Sequence, residues 1–441
     1  MIENVTIKNY KSILKAEMSL GRINVFIGEN GAGKSNILEA FALVGAASAG
    51  KLDNEFLASR GIRVTAPNFM RSAFTPECNK DPIEITVSNE NLSHVKYIIE
   101  NGNEPYANWS YSVEIGTLGA REDVEIKEGV KVTTGINKGR ARDFIDKIIK
   151  ERDLDIDIVI EHASVFSKAL IEASRHAKSM KSNTVDGGGS KAFEIGNKNI
   201  FAEIVYEYIS SESGSGLYKQ ILKDFIVYSP ENTALRRLDP EGQIEPLGIN
   251  GEGLFKLLSV LDSGPNSQVV KDINKKLNLF GWFNGFNLVS GNSGETGSLA
   301  IQDRFLSETM NVFDQRSANE GFLFLVFYFA LFSTELTPRF FAIDNIDASL
   351  NPKLCQKLIR ELVALSKKHD KQALLTTHNP AVLDGINLDD PDQRLFVVSR
   401  NTKGETRVRR IENKPKADGV EKVKLSEAFL RGSLGGLPRS F

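Results

Sequence analysis

The stretch Gly28-Glu29-Asn30-Gly31-Ala32-Gly33-Lys34-Ser35 matches the phosphate-binding loop pattern G-x-x-x-x-G-K-[ST] at every fixed position. The apolar run 23–27 before it is typical of a buried strand, and residues 36–41 after it have a helical pattern. Glycines let backbone N–H groups turn towards phosphate oxygens, and the N-terminus of a helix adds positive potential. A chance glycine-rich turn is the alternative, but the strand and the helix favour a phosphate loop.

This loop predicts ATP and Mg²⁺ as cofactors. Lys34 is expected to reach the β- and γ-phosphates, and the hydroxyl of Ser35 is expected to bind Mg²⁺. The predicted nucleotide contacts in and beside the loop are Asn30, Gly31, Ala32, Gly33, Lys34, Ser35 and Asn36.

The composition is that of an ordinary globular protein. The 441 residues are 41% hydrophobic and 25% charged. The net charge of −2 does not show the basic excess that is typical of nucleic-acid-binding proteins. No apolar run reaches the length of a membrane span, and the opening residues lack a signal-peptide pattern. The two cysteines, Cys78 and Cys355, lack metal-ligand spacing and fit a reducing compartment. We therefore expect a cytoplasmic protein without a membrane partner.

Changes of pattern along the chain divide it into three parts. Residues 1–137 contain the phosphate loop and a predicted β-meander at 82–136. Residues 138–225 have helical periodicity and glycine–serine breaks, which predict a helical insertion. Residues 226–441 return to alternating strands and helices. Alternation around a phosphate loop predicts an α/β fold with a mainly parallel sheet that is covered on both faces.

A second carboxylate is needed to hold Mg²⁺ in a nucleotide-hydrolysing site, commonly at the end of a neighbouring strand. The apolar strand 340–343 ends in Asp344, which is the candidate. An aspartate that only caps the following turn is the alternative. Asn351 and Pro352 predict the start of a helix, as cap and first turn.

Three segments resemble ABC-type ATPases of the SMC, RecF and OLD class. Segment 344–352 resembles their Walker B motif and D-loop, and Thr377-His378-Asn379-Pro380 resembles their switch-histidine loop. The opening segment 7–13 is similar to their first strand, and the match covers residues 1–45 and 315–400. The resemblance implies a two-lobed ATPase head whose insertion separates the two halves of the site in sequence.

The resemblance also implies that heads pair, with ATP held between one phosphate loop and a partner's signature segment. That segment falls at 317–321, where Asn319 stands in place of the usual serine and Gly321 matches. Plain helix capping by Ser317 or Asn319 explains the segment almost as well. The further predicted nucleotide contacts are therefore Asn319, Gly321 and Asn351. His378 is the implied sensor of the γ-phosphate, with a structural histidine as the alternative.

The residue after the Walker B aspartate departs from the family. The family usually has glutamate there to polarise the attacking water, whereas this chain has Asn345. An amide can orient water but cannot accept its proton at neutral pH. The sequence therefore predicts a weak ATPase with Lys34, Asn345 and His378 as its catalytic residues, or a protein for which ATP is mainly a sensed ligand.

Two functions follow from the resemblance. The first is the sensor or scaffold ATPase of an anti-phage defence complex, similar to the stand-alone ATPases of Septu- and PARIS-type systems. Such a protein forms a dimer or higher oligomer and holds a separate effector nuclease or toxin, with nucleic acid or a phage protein as candidate triggers. The alternative is a DNA-repair ATPase, similar to RecF or SMC proteins, that clamps DNA. Basic clusters at 175–181 and 407–410 fit nucleic acid, an acidic partner or simply solvated faces.

Overall fold

The chain forms two compact units in a computed structural model. The first unit comprises Met1–Val87, Ile99–Ser110 and Gln220–Phe441, and the second comprises Ser88–Ile98 and Tyr111–Lys219. The structure describes residues 1–88, 94–104, 107–116, 123–126, 130–133, 215–237, 245–263, 267–289, 298–308, 310–413 and 423–437. The predicted helical insertion lies outside the described residues as far as 214, so its extent stays a prediction.

The strands and helices are numbered along the chain. The strands are β1 (Asn4–Tyr10), β2 (Ile13–Ser19), β3 (Ile23–Ile27), β4 (Ile83–Ser88), β5 (His94–Glu100), β6 (Ser110–Gly116), β7 (Asp123–Ile126), β8 (Val130–Thr133), β9 (Val227–Tyr228), β10 (Phe283–Val289), β11 (Ser298–Asp303), β12 (Val312–Phe313), β13 (Phe340–Ile343), β14 (Gln372–Thr377), β15 (Gln393–Arg400) and β16 (Thr406–Ile411). The α-helices are α1 (Lys34–Ser48), α2 (Asn54–Ser59), α3 (Pro67–Met70), α4 (Ser215–Lys223), α5 (Asn232–Leu235), α6 (Leu254–Asp262), α7 (Ser267–Lys276), α8 (Glu320–Ser333), α9 (Pro352–Lys368) and α10 (Leu425–Leu430). Short 3-10 helices cover Glu77–Asn79, Leu277–Leu279 and Pro380–Gly385.

A six-stranded sheet in the first unit carries the phosphate loop. Its strand order is β16-β15-β3-β14-β13-β9, and only the edge strand β16 is antiparallel to its neighbour. Strands β3, β13 and β14 are buried along their whole length, as expected where both faces of a sheet are covered. The predicted α/β fold with a mainly parallel sheet is confirmed. Because β3, β14 and β13 are parallel neighbours, the residues that follow them gather at one edge.

Further strands, most of them antiparallel to their neighbours, complete both units. In the first unit β1 lies between β2 and β4, and β10, β11 and β12 form a separate three-stranded sheet. In the second unit β8, rather than β7, lies beside β6 and runs parallel to it, while β7 and β8 pair as a hairpin. The predicted meander therefore ends before β7, because this hairpin adds to the sheet through its second strand.

Helix α8 is apolar around its whole circumference, and all of its residues after Glu320 are buried. Its rings meet aromatic residues of two different sheets. The Phe332 and Phe341 centroids are 4.9 Å apart, and those of Phe322 and Phe283 are 5.3 Å apart. It has 14 residues, and no helix in the described part of the chain has the length and apolarity to cross a membrane.

Lys371 is a buried cation that joins the end of α8 to the start of β14. Its Nζ donates to the carbonyl oxygen of Thr337 at 2.8 Å, to the Thr337 hydroxyl at 2.9 Å and to the carbonyl oxygen of Pro338 at 3.1 Å. The same hydroxyl donates to the carbonyl oxygen of Leu331 in α8 at 2.7 Å. Burial, together with the nearby charge of Arg339, lowers the pKa of Lys371 from 10.5 to about 7.

We expect this lysine to make the stability depend on pH. Between pH 7 and 10.5 the unfolded state binds a proton at Lys371 that the folded state has released, so the free energy of unfolding rises with pH. The slope from one such group is at most about 1.4 kcal/mol per pH unit. Urea denaturation of the wild type and of Lys371→Met at several pH values measures this. The free energy of unfolding of Lys371→Met should rise less steeply with pH than that of the wild type, and the exposed control Lys368→Met should keep the wild-type slope. Parallel curves for all three proteins would contradict this role of Lys371.

Candidate nucleotide site

The phosphate loop connects β3 to α1 at the carboxyl edge of the six-stranded sheet. Gly31 and Gly33 have φ angles of 74° and 106°, a region that glycine adopts at little cost. A Cβ on Gly31 would meet no atom within 4 Å, so the loop is open at this point. Lys34 is only 6% exposed, and its Nζ donates to the carbonyl oxygens of Gly28 at 2.8 Å and Glu29 at 3.0 Å. These carbonyls hold the ammonium against the start of the loop.

Two groups of the site have lowered pKa values. Burial lowers the pKa of Lys34 to about 8, although the nearby Asp344 carboxylate favours the charged form. Partial desolvation by the surrounding loops also lowers the pKa of His378, and the charge of Lys34 lowers it further. His378 is therefore neutral at pH 7, so its imidazole offers one donor and one acceptor. The charges of Lys34 and Asp344 both act on the imidazole of His378, so these three side chains lie near one another.

The two predicted Mg²⁺ ligands are in direct contact. Ser35 Oγ donates to Asp344 Oδ2 at 2.9 Å, and Thr376 Oγ1 donates to Asp344 Oδ1. Among the described residues there is no group of three or more His, Cys, Asp and Glu that could hold a metal. One hydroxyl and one carboxylate are nevertheless the hard oxygen ligands that suit Mg²⁺, which usually completes its shell with water and substrate phosphates. The residues present therefore fit Mg²⁺ better than a softer metal.

Sequence reasoning assigned no role to Thr376. Besides holding Asp344, its hydroxyl accepts a hydrogen bond from the backbone N–H of Asn345 at 2.9 Å. Asn345 is exposed and has a φ angle of 57°, which asparagine tolerates better than most residues. In the sequence, Thr376 is visible only as a threonine near the end of a buried strand. Its pairing with Asp344 follows from the register of β13 against β14, which the sequence alone does not show.

The D-loop is tied to the switch-histidine loop through one carboxylate. Asp347 Oδ1 accepts from Thr377 Oγ1 at 2.6 Å and from the backbone N–H of His378 at 3.4 Å. The next residue, Asn379, caps the following 3-10 helix by accepting from the backbone N–H of Ala381 at 3.0 Å. His378 itself is exposed between these two fixed points. A shift of either loop therefore moves the histidine.

The predicted signature segment lies at the start of α8. Asn319 is exposed and caps this helix, since its side chain accepts from the backbone N–H of Phe322 at 2.8 Å. A Cβ on Gly321 would lie 2.8 Å from the carbonyl oxygen of Ser349, so the helix start packs against the D-loop. Asn351 caps α9 in the same way as Asn319 caps α8. None of the contacts described for Asn319, Gly321 or Asn351 is made with the phosphate loop.

Arg236 fixes the turn that leads into this segment. Its guanidinium donates to the carbonyl oxygens of Gln315 at 3.0 Å and Ala318 at 2.7 Å. Asp314 Oδ1 accepts from the backbone N–H groups of Arg316 at 3.0 Å and Ser317 at 3.2 Å. These hydrogen bonds therefore hold the turn that precedes α8.

The remaining predicted contacts have different surroundings. Asn30 is exposed and Ala32 is fully buried. Asn36 uses both atoms of its amide within the protein, because Nδ2 donates to Ser12 Oγ at 2.6 Å and Oδ1 accepts from Arg63 Nη2 at 3.1 Å. Its contact with nucleotide stays a prediction.

The comparisons with known proteins agree with this geometry. A protein-family model described as "AAA domain, putative AbiEii toxin, Type IV TA system" matches residues 23–384. Over 121 residues the chain is 33% identical to an uncharacterised protein of Methanocaldococcus jannaschii, MJECL10. That match covers 26% of this chain and 53% of the relative, so the chain spans about half the length of the curated relative that it matches.

Two solved structures of SMC heads resemble the chain. The crystal structure of an SMC head bound to the C-winged helix domain of ScpA matches with a TM-score of 0.51 and 14% identity, over 93% of this chain and 98% of that one. The Smc head with an extended coiled coil, bound to the C-terminal domain of Pyrococcus furiosus ScpA, matches with a TM-score of 0.46 and 15% identity, over 93% and 96%. The first likeness shows that the chain has the α/β fold of an SMC head domain.

Proposed function

Since the chain belongs to the family of AAA-domain P-loop ATPases that matches residues 23–384, we propose that it is a slow ATPase and that two copies pair around ATP. The pairing is inferred because the predicted nucleotide contacts of one chain form two separate groups. Lys34, Ser35 and Asp344 converge at the sheet edge, while the exposed Asn319 caps α8, in which the nearby Gly321 packs against the D-loop. A second copy would supply the missing side of the nucleotide.

The residues present determine what each part of the site would do. Bound ATP-Mg²⁺ would supply the phosphoryl bond that is broken and the cation that offsets its charge. Lys34 and the backbone N–H groups of the loop would hold the phosphates, and Ser35 with Asp344 would hold Mg²⁺. Neutral His378 can donate one hydrogen bond towards an added phosphate. Asn345 orients water without accepting its proton, so turnover is slow.

We also propose that this ATPase controls a separate effector nuclease or toxin, as the sensor or scaffold of an anti-phage defence complex. The family description names a toxin of a toxin–antitoxin system, which supports coupling to a toxic activity. The SMC head in the solved complex is bound to a domain of ScpA, which supports a partner in trans for a head of this fold.

The DNA-clamp alternative receives less support from the one basic cluster that the structure describes. Arg407 pairs with Glu405 at 2.7 Å, and the guanidinium of Arg409 donates to the carbonyl oxygen of Leu434. These arginines are therefore engaged within the chain rather than arranged as a free basic surface. The other cluster, at 175–181, lies outside the described residues.

Pairing can be tested at Asn319 without disturbing the helix that it caps. Aspartate and serine cap helices about as well as asparagine. Asn319→Asp adds a negative charge where a partner's triphosphate would approach, so we expect it to weaken ATP-dependent association at least tenfold. Asn319→Ser should associate like the wild type. Light scattering with ATP-Mg²⁺ measures this, and equal association of all three proteins would contradict the proposed interface.

A further inference from the structure

Two consecutive carbonyls of the phosphate loop are held by the β15–β16 hairpin. The carbonyl oxygen of Gly31 accepts from Arg400 Nε at 2.7 Å. The next carbonyl, that of Ala32, accepts from Thr406 Oγ1 at 2.8 Å. The two donors lie 369 and 374 positions further along the chain, at the end of β15 and the start of β16. Because β15 is the parallel neighbour of β3, the sheet itself brings this hairpin beside the loop.

These bonds determine where the loop's N–H groups point. In a trans peptide the C=O and the following N–H point in opposite directions. Carbonyls held towards the hairpin therefore turn the N–H groups of Ala32 and Gly33 to the opposite side. The N–H of Ala32 accordingly donates to the carbonyl oxygen of Glu29 at 3.3 Å, within the loop's own turn. Successive backbone N–H groups that share one side of such a loop form the kind of concavity that binds phosphate oxygens.

A second contact fixes the Thr406 hydroxyl. It lies 2.7 Å from Ser12 Oγ, and the backbone N–H of Thr406 donates to the carbonyl oxygen of Ser12 at 2.8 Å. Thr406 is 1% exposed and Ser12 is 9% exposed. A Cβ on Gly33 would lie 2.2 Å from Thr406 Oγ1 and 2.8 Å from Ser12 Oγ. The hydroxyl pair thus packs directly against the loop backbone at Gly33.

We propose that Thr406, assisted by Arg400, is a positioning residue for nucleotide binding, which sets two phosphate-loop peptides with their N–H groups towards the phosphates before the nucleotide arrives. The inference rests on the proposed ATP site. It adds a specific role for the β15–β16 hairpin, whose residues lie outside the loop motif itself.

The test is ATP-Mg²⁺ and ADP affinity, measured by calorimetry, for matched variants of the hairpin. Thr406→Val keeps the shape of the side chain but removes its hydroxyl. We expect about fivefold to tenfold weaker binding, because one hydrogen bond and the peptide orientation that it holds are lost. Thr406→Ser keeps the hydroxyl and should restore wild-type affinity. Thr402→Val, at the exposed turn of the same hairpin, is the control and should bind normally.

Hydrogen exchange of the nucleotide-free protein gives a second readout. Amides of residues 28–35 should exchange faster in Thr406→Val than in Thr406→Ser. If the valine variant does not fold, the exposed Arg400→Met replaces it, with about fivefold weaker binding expected. Wild-type affinity in Thr406→Val or Arg400→Met, or equal losses in the valine and serine variants, would overturn the positioning role. In that case loss of binding in Lys34→Ala would still support the ATP site, whereas normal binding by Lys34→Ala would overturn the site itself.

Discussion

Replacing Lys34 with alanine is expected to weaken ATP-Mg²⁺ binding by about a hundredfold or more, because each lost charge-assisted hydrogen bond costs about 1.5–3 kcal/mol. Lys34 is 6% exposed and its ammonium is hydrogen-bonded to two carbonyls of the loop, so it is already in place before the phosphates bind. Burial holds its pKa at about 8, which shows that its charge is poorly solvated in the nucleotide-free site. A bound polyphosphate would supply the compensating negative charge.

Calorimetry with ATP-Mg²⁺ measures this effect, and thermal unfolding of the nucleotide-free protein separates it from loss of folding. Lys34→Met keeps most of the side-chain volume and should lose binding like the alanine variant. Lys15→Met, on the exposed surface of β2, removes a charge without touching the loop and should bind normally. Wild-type affinity in Lys34→Ala would show that the loop is not the nucleotide site.

The second large effect is expected at Asn345, where glutamate should accelerate ATP hydrolysis at least tenfold. General bases typically contribute about 10²–10⁴-fold, and a carboxylate can accept the proton that the amide cannot. The backbone conformation at this position disfavours glutamate, because Asn345 has a φ angle of 57°. Glutamate in that conformation is destabilised by about 1 kcal/mol, so the expected gain is smaller than the full contribution of a base.

Two further variants separate basicity from backbone strain. Asn345→Gln has the same length and the same backbone cost as the glutamate variant but no basic group, so it should stay slow. Asn345→Asp tolerates the left-handed backbone as well as asparagine does, and it tests whether a shorter carboxylate reaches the water. Steady-state phosphate release compares the four proteins. Fast wild-type turnover that none of the variants changes would show that another residue supplies the base.

The sequence was sufficient to predict the elements that carry the site. The strand, loop and helix around Lys34 were recognisable because a motif and two local patterns coincide. The proximity of Asp344 to the loop followed from a general property of parallel sheets, whose carboxyl ends share one edge, whereas the role of His378 was implied by the family resemblance. The structure confirms that edge and shows the direct bond between Ser35 and Asp344.

The supporting contacts could not be predicted in the same way. Thr376, Arg400 and Thr406 act through strand order and register, and a single sequence does not specify which strand lies beside β3. Glu39 is a similar case. It looks like an ordinary polar residue of a helix, yet its side chain is 2% exposed and lies between Lys11 and Arg63. Such contacts join residues that no local pattern links, so they appear only when the strands are placed.

The measurement that tests the central claim most directly is the mass of the wild-type protein in different nucleotide states. Sedimentation velocity without nucleotide, with ADP-Mg²⁺ and with ATP-Mg²⁺ shows whether the γ-phosphate holds copies together. We expect ATP-Mg²⁺ alone to produce a larger assembly, which persists because Asn345 makes hydrolysis slow and which disappears in Lys34→Ala. The same mass in all three states, under conditions where ATP binding is saturated, would contradict the account of ATP as the ligand that joins two copies.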